Sequence, residues 1–290
     1  MDNTIALAKN YTSILDEVYK NASVTADLTS DNSMVRAGAN ANEIVYPQVE
    51  VSGLGDYDRN SGYANGSVNL VWKTATFNYD RGTKISVDVM DNEESRDIAF
   101  TKAGSELMRT KVAPEADAFV FATLASKEGI SKATAAAFAD AETFLAALIE
   151  AKNKMDEDEV PEEGRILYAT PTLLNGVMAL DTTKSREVLA TFSKTVRVPQ
   201  SRFYTAIDLL DGKSSGEEAG HYRKASTGKD INFMIVHKPA VIKYDKHTAS
   251  DIIPAASNPD ADADISKYRK YGIVDVFANK VAGIYLSHKE

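Results

Sequence analysis

The sequence contains no cysteine. Disulfides, thiolate metal centres and cysteine nucleophiles are excluded together, and so is the class of small cysteine-dense secreted scaffolds. No stretch approaches about 18 consecutive apolar residues, so no helix is expected to span a membrane. The opening Met1-Asp2-Asn3-Thr4 lacks the basic start and apolar run of a secretory signal. Positive charge is in short supply: 33 Lys and Arg stand against 42 Asp and Glu, a net charge of −9. The basic residues are scattered, as at Arg223-Lys224 and at Lys267, Arg269 and Lys270, and form no basic arm. Affinity for phosphate backbones comes mainly from clustered Lys and Arg, so DNA is expected to slide past this protein rather than be gripped. The chain is expected to be made, and to work, in a bacterial-type cytoplasm or a particle assembled there.

What is present is ordinary for a globular protein: 290 residues, 43% apolar and 26% charged. That is enough core for one large domain or two smaller ones, and it argues against global disorder. Apolar positions at helical spacing (Ile5, Ala8, Ile14, Leu15, Val18, Tyr19) predict a helix over residues 4–20. Residues 21–42 are small and polar and read as an extended arm. Residues 43–90 read as strands: 44–46, 49–51, 68–73, 74–79 and 84–89. The Gly-, Asn- and Asp-rich stretch 53–66 reads as a reversing loop. This long hairpin has few apolar positions for its length and needs a partner surface, its own core or another subunit.

Residues 91–127 read as a long helix, with Asp91 and Glu94 spaced as a capping box and Pro114 expected to kink it near Lys111 or divide it. An amphipathic helix is expected over 140–155, a strand over 165–170, and a helix starting at Pro171 with Thr170 as its cap. Residues 208–230 read as loop, 231–236 and 240–244 as strands, and 249–264 as an acidic, Pro-containing turn. Residues 271–287 read as two strands around Asn279-Lys280. The element set is α+β, without internal repeats.

Motifs that could carry chemistry fail on spacing. His221, His237, His247 and His288 form no HExxH motif and no i,i+4 pair. Asp260-Ala261-Asp262-Ala263-Asp264 imitates the start of a calcium loop. The required sixth-position Gly is Ile265, and the twelfth-position Glu is Tyr271. Gly212-Lys213-Ser214 imitates the end of a P-loop, but its first Gly would be Ile207. There is no GxSxG and no dinucleotide fingerprint. No catalytic, cofactor-binding or metal-binding residue is therefore assigned.

The order of elements resembles the major capsid protein of tailed bacteriophages. The likeness centres on Arg109-Thr110-Lys111-Val112-Ala113-Pro114-Glu115-Ala116-Asp117-Ala118-Phe119, similar to a stretch found in one branch of these proteins. Asp91-Asn92-Glu93-Glu94 resembles the junction between extended loop and long helix. Leu167-Tyr168-Ala169-Thr170-Pro171 and the ending Tyr271-Gly272-Ile273-Val274-Asp275-Val276-Phe277 with Gly283-Ile284-Tyr285 fit as well. The resemblance implies the tailed-phage capsid fold. Its parts would be an N-arm over 1–45, an E-loop hairpin over 46–90, a spine helix and peripheral (P) domain over 91–138, a mainly axial (A) domain over 139–265, and C-terminal strands returning to the sheet over 266–290.

The resemblance also implies a structural protein and not an enzyme. It would assemble with itself through pentamers and hexamers into an icosahedral head enclosing double-stranded DNA, within the virion. The arm begins almost at Met1, so a separate scaffolding protein, or assembly without one, is expected, together with portal and head-completion partners and no membrane. Pro114 and the Gly-rich hairpin loop are expected flex points between pentamers and hexamers, and an acidic inner surface would leave packaged DNA mobile. Two alternatives stand beside this reading. One is an encapsulin-like compartment shell. The other is a hydrolase or binding protein with a site built from residues such as Asp208, Asp211 and His221.

Overall fold

A computed structural model describes residues 22–30, 36–37, 42–60, 62–63, 65–94, 98–133 and 136–290. The helix expected over 4–20 lies outside them, as do residues 31–35 and 38–41 of the expected arm. Strands β1 (Arg36–Ala37), β2 (Glu43–Val51) and β3 (Val68–Thr76) form an antiparallel sheet in that order. Strand β4 (Tyr79–Asp88) leads into helix α1 (Val89–Glu94). Helix α2 (Ile98–Leu107), a π-helical turn (Met108–Val112) and helix α3 (Ala113–Ser126) follow one another without a break. Then come β5 (Ser131–Ala133), α4 (Ala141–Glu157), β6 (Arg165–Ala169), α5 (Pro171–Ala179), α6 (Thr183–Ala190) and β7 (Lys194–Arg197). The chain closes with β8 (Ile207–Leu209), β9 (Tyr222–Lys224), β10 (Ile231–His237), β11 (Val241–Ile253), β12 (Ala263–Val276) and β13 (Ile284–His288).

Two sheets build the body. The five-stranded one has the order β5-β13-β10-β6-β7, and the three-stranded one β11-β12-β4. Every residue of β6 and β10 is buried, as befits strands covered on both faces. Side chains alternate across a strand, and both layers they reach are apolar. Leu167, Ala169, Phe233 and Ile235 pack on Phe144, Leu148, Ala151 and Met155 of α4. Ile166, Tyr168, Met234 and Val236 pack on Val120, Phe121 and Leu124 of α3. Val241, Val274 and Val276 join this second layer, so β11 and β12 share the core of the five-stranded sheet.

Local signals explain most element ends. Helix α4 starts in a reciprocal capping box: Asp140 Oδ1 accepts the Thr143 N–H at 2.8 Å. It stops where Glu159 turns left-handed (φ 56°) and the Val160 N–H reaches back to the Met155 carbonyl at 3.0 Å. Thr170 and Pro171 occupy the cap and first position of α5 as expected, although the Thr170 hydroxyl makes no capping bond.

Other expectations change. The proposed capping box at Asp91 is wrong: Asp91 already lies inside α1, and the Asp88 carboxylate takes the Met90 N–H at 2.9 Å. Pro114 neither divides the helix nor leaves it regular. The backbone stays right-handed helical at Leu107, Val112 and Ala113, and Met108–Val112 widens into the π turn. A proline ring clashes with the carbonyl four residues back, here Thr110, and a wider turn relieves that clash. The strands expected at 44–46 and 49–51 are one strand, β2, and the division expected after Lys73 falls after Thr76. The expected loop 208–230 contains the antiparallel β8–β9 pair. Strand β11 runs to Ile253 and β12 starts at Ala263, so the acidic turn is shorter than its composition suggests. Cross-strand partners on β4 and β11 stabilise β12 over residues whose own propensity is weak.

Candidate assembly surface

The β2–β3 hairpin is largely exposed. Its register sets Pro47 opposite Trp72, Val49 opposite Leu70 and Val51 opposite Val68. Opposed residues share a face, so these six side chains make one apolar ladder. The described residues do not cover it: Val49, Val51, Val68, Leu70 and Trp72 are 55%, 69%, 71%, 53% and 42% exposed. The opposite face is buried only at the base, where Ile44, Tyr46 and Ala75 rest on Ile242 and Ile273. Farther out it turns polar, with Gln48 donating to Glu50 at 3.3 Å. Fully burying one such Val or Leu side chain contributes about 1.5–3 kcal/mol. A contiguous apolar patch on a sheet face marks an interaction surface rather than a folding defect.

The strand that follows the hairpin, β4, is anchored by charge. Arg81 of β4 donates to Glu115 of α3 at 2.6 and 3.3 Å, and the Tyr79 hydroxyl donates at 3.3 Å. His221, in left-handed backbone (φ 71°), brings Nδ1 to 3.6 Å from the same carboxylate, and its carbonyl accepts from Arg81. Burial pushes the Glu115 carboxyl up, but His221 and Arg81 outweigh it and hold it below its ordinary value. Three segments distant in sequence therefore meet at one ionised carboxylate.

A second buried carboxylate ties down the arm. Asp117, fully buried on α3, accepts from the Ser23 hydroxyl (2.7 Å), the Val24 and Thr25 N–H groups (3.0 and 3.1 Å), the Thr25 hydroxyl (2.7 Å) and Arg202 (3.1 Å). Lys243 of β11 completes the clip by donating to the Thr25 carbonyl at 2.6 Å and its hydroxyl at 3.1 Å. Burial, helped by the charge of Lys270, pushes the Lys243 ammonium down to about 8 against the attraction of Asp117, Asp245 and Asp27. The unfolded chain therefore holds more protons than the folded one from about pH 8 up to the ordinary lysine value near 10.4, and stability rises with pH across that window. Wild type is expected to gain about 2–3 kcal/mol between pH 7 and pH 10 relative to Lys243→Met. Urea unfolding of both proteins at the two pH values measures this, and a pH-independent difference would refute it.

The residues named for a hydrolytic site are brought near one another in chain but not into an acid–base set. Asp208 pairs with Arg223 at 3.3 Å. Asp211 is spent on its own loop, accepting from the Ser214 hydroxyl and the N–H groups of Ser214 and Lys213, which hold its carboxyl down to about 2. His221 faces Glu115. Of the acidic-turn residues, Asp264 accepts the Ala255 N–H at 2.9 Å. Among the described residues, no group of three His, Asp or Glu is placed to hold a metal ion, and no helix is long and apolar enough to cross a membrane. Sequence reasoning passed over Asp117 and Glu115, whose only signal was two acids within an otherwise apolar stretch of helix.

No family model matches the chain, and no curated protein matches it. Solved structures do. A chain from the capsid structure of cyanophage P-SCSP1u superposes with a TM-score of 0.59 at 13% identity, covering 92% of this chain and 88% of that one. A chain from the mature capsid of bacteriophage PhiM1 gives 0.55 at 14% identity, covering 87% and 83%. A virus-like particle from Pyrococcus furiosus gives 0.57 at 9% identity, covering 97% and 99%. Nearly the whole of each chain is matched at identities far too low for sequence comparison. The fold is that of phage capsid chains, as expected from the order of elements.

Proposed function

We propose that this chain is the major capsid protein of a tailed bacteriophage, a structural protein that assembles with itself through pentamers and hexamers into an icosahedral head around double-stranded DNA. The observation that carries the reading is the apolar ladder on the hairpin, left uncovered by the described residues of a chain whose fold is matched over most of its length by phage capsid chains. Such a protein needs no active site, and its stability belongs partly to the assembly, because each copy's exposed face is buried only on a neighbour. In these terms residues 1–45 are the N-arm, 46–90 the E-loop and 91–138 the spine helix and P domain. Residues 139–265 are mainly the A domain, and 266–290 the returning strands. Packaged DNA, a separate scaffolding protein, a portal and head-completion proteins are the partners this reading carries, the virion its location and the host cytoplasm its place of assembly.

The likeness to the Pyrococcus furiosus particle supports a second reading, an encapsulin-like compartment shell that encloses protein cargo. Negative-stain electron microscopy with sedimentation tests both. Closed shells, or rings of five or six subunits, are expected, and DNA rather than protein inside particles purified from their source selects the phage head. A monomer that never assembles, even under crowding or with a co-expressed scaffold, overturns both.

A further inference from the structure

The sequence contains two Asn-Gly pairs, Asn65-Gly66 and Asn175-Gly176. Glycine has no Cβ, so its backbone nitrogen can approach the side chain of the residue before it. In an Asn-Gly pair that nitrogen can attack the asparagine Cγ and close a five-membered succinimide ring. Both asparagines are exposed, so access to water does not separate them. Their backbone surroundings do.

Asn65 lies past the end of the β2–β3 pairing. The last ladder pair sets Val51 opposite Val68, and one further bond runs from the Ser52 N–H to the Ser67 carbonyl at 2.9 Å. Beyond it, Asn65 and Gly66 belong to no strand or helix. Among the described residues, neither the Asn65 amide nor the Gly66 N–H has a hydrogen-bond partner. The nearest atom to a Cβ placed at Gly66 would be the Ser52 hydroxyl oxygen, at 3.3 Å.

Asn175 and Gly176 sit inside α5. Helical backbone carries the following nitrogen away from the side chain, and an N–H at that depth is bonded to the carbonyl four residues back. Asn175 Oδ1 is also engaged, accepting from Arg197 Nε at 3.1 Å. A third candidate, Asp211-Gly212, is exposed, but its ionised carboxylate takes three hydrogen bonds from Lys213 and Ser214. An ionised carboxylate offers no leaving group, so ring closure is suppressed there.

We infer that Asn65 is a self-modification site, at which the folded chain converts its own asparagine to aspartate and isoaspartate. The Gly66 nitrogen loses its proton to solvent base and bonds to the Asn65 Cγ. The Cγ–Nδ2 bond breaks, and ammonia leaves. Water then opens the succinimide at either carbonyl. One opening gives aspartate, and the other gives isoaspartate, with the main chain rerouted through the side chain. Nothing is oxidised or reduced, and water is the only co-reactant. Each event adds a negative charge at the outer end of the hairpin, and the isoaspartyl form lengthens the link between β2 and β3 by one carbon.

The second Asn-Gly pair serves as an internal control. Native protein is incubated in mildly alkaline buffer, digested at acidic pH to halt the reaction, and read by mass spectrometry. The peptide containing residue 65 is expected to gain one mass unit and to separate into two products, at least tenfold faster than the peptide containing residue 175. Hydroxylamine, which cleaves at the succinimide, is expected to release fragments 1–65 and 66–290 from native protein and no fragment 1–175. In denaturant the backbone restraint is gone, and the two sites should react at similar rates. Gly66→Ala adds a methyl group that hinders ring closure, and should slow the reaction at Asn65 at least tenfold with circular dichroism unchanged. An Asn65 that reacts no faster than Asn175 in native wild-type protein overturns the inference, whatever the variant does. So does a folded Gly66→Ala protein that reacts at the wild-type rate.

Discussion

Leu70→Asp yields a subunit that folds and does not assemble. Leu70 is more than half exposed within the subunit, at the centre of the apolar ladder opposite Val49. A carboxylate there stays hydrated in the free chain, and exposed substitutions of this kind alter stability by about 0.5 kcal/mol. At an interface the same carboxylate loses its water without gaining a cation, at a cost of several kcal/mol. The cost recurs at every copy of a symmetric contact, so shells should fall from full yield to none detectable by sedimentation and electron microscopy. Circular dichroism and urea unfolding of the subunit should match wild type. Leu70→Ala, which removes apolar area without adding charge, should slow assembly and leave it possible. Normal shells from Leu70→Asp would remove this face from the interface.

Asp117→Ala carries the largest expected cost to the subunit itself. The carboxylate accepts five hydrogen bonds, from Ser23, Val24, Thr25 (twice) and Arg202, at zero exposure. Removing one partner of a buried pair leaves the others charged or polar without compensation, at about 3–5 kcal/mol. Total stability is of the order of 5–15 kcal/mol, so urea unfolding should shift markedly toward lower concentration. The loss should also be local: amide exchange over residues 23–30 should speed up far more than over β6 and β10. Asp117→Asn keeps the volume but turns an amide donor toward groups that already donate, and should recover only part of the loss. Wild-type exchange at the arm in Asp117→Ala would show that Lys243 and the backbone hold it without the carboxylate.

The two predictions draw on features that were unequally legible. The hairpin's need for a partner could be read directly, because a segment with too few apolar residues for its length announces that its core lies elsewhere. Which face would be bare could not, because the strands were read as shorter pieces and register depends on both strands at once. Asp117 gave almost no warning. Its partners lie 85 to 94 residues away, and no local pattern encodes a bond over that separation. The same limit hid Glu115, whose ligands come from β4 and from the loop before β9.

The sequence by itself determined the long periodic helices and strands, the Thr170-Pro171 start of α5 and the exclusion of disulfide and thiolate chemistry. These follow from nearest-neighbour chemistry and from the 2.0 and 3.6 periodicities, which are local properties of a chain. The tertiary structure alone decided that β11 and β12 run on through polar residues, since cross-strand bonding outweighs propensity there. It alone decided that Pro114 is absorbed by a π turn and that two helix carboxylates are buried clamps. Each of these depends on which distant segments come to lie together, and that is settled by packing the whole chain at once.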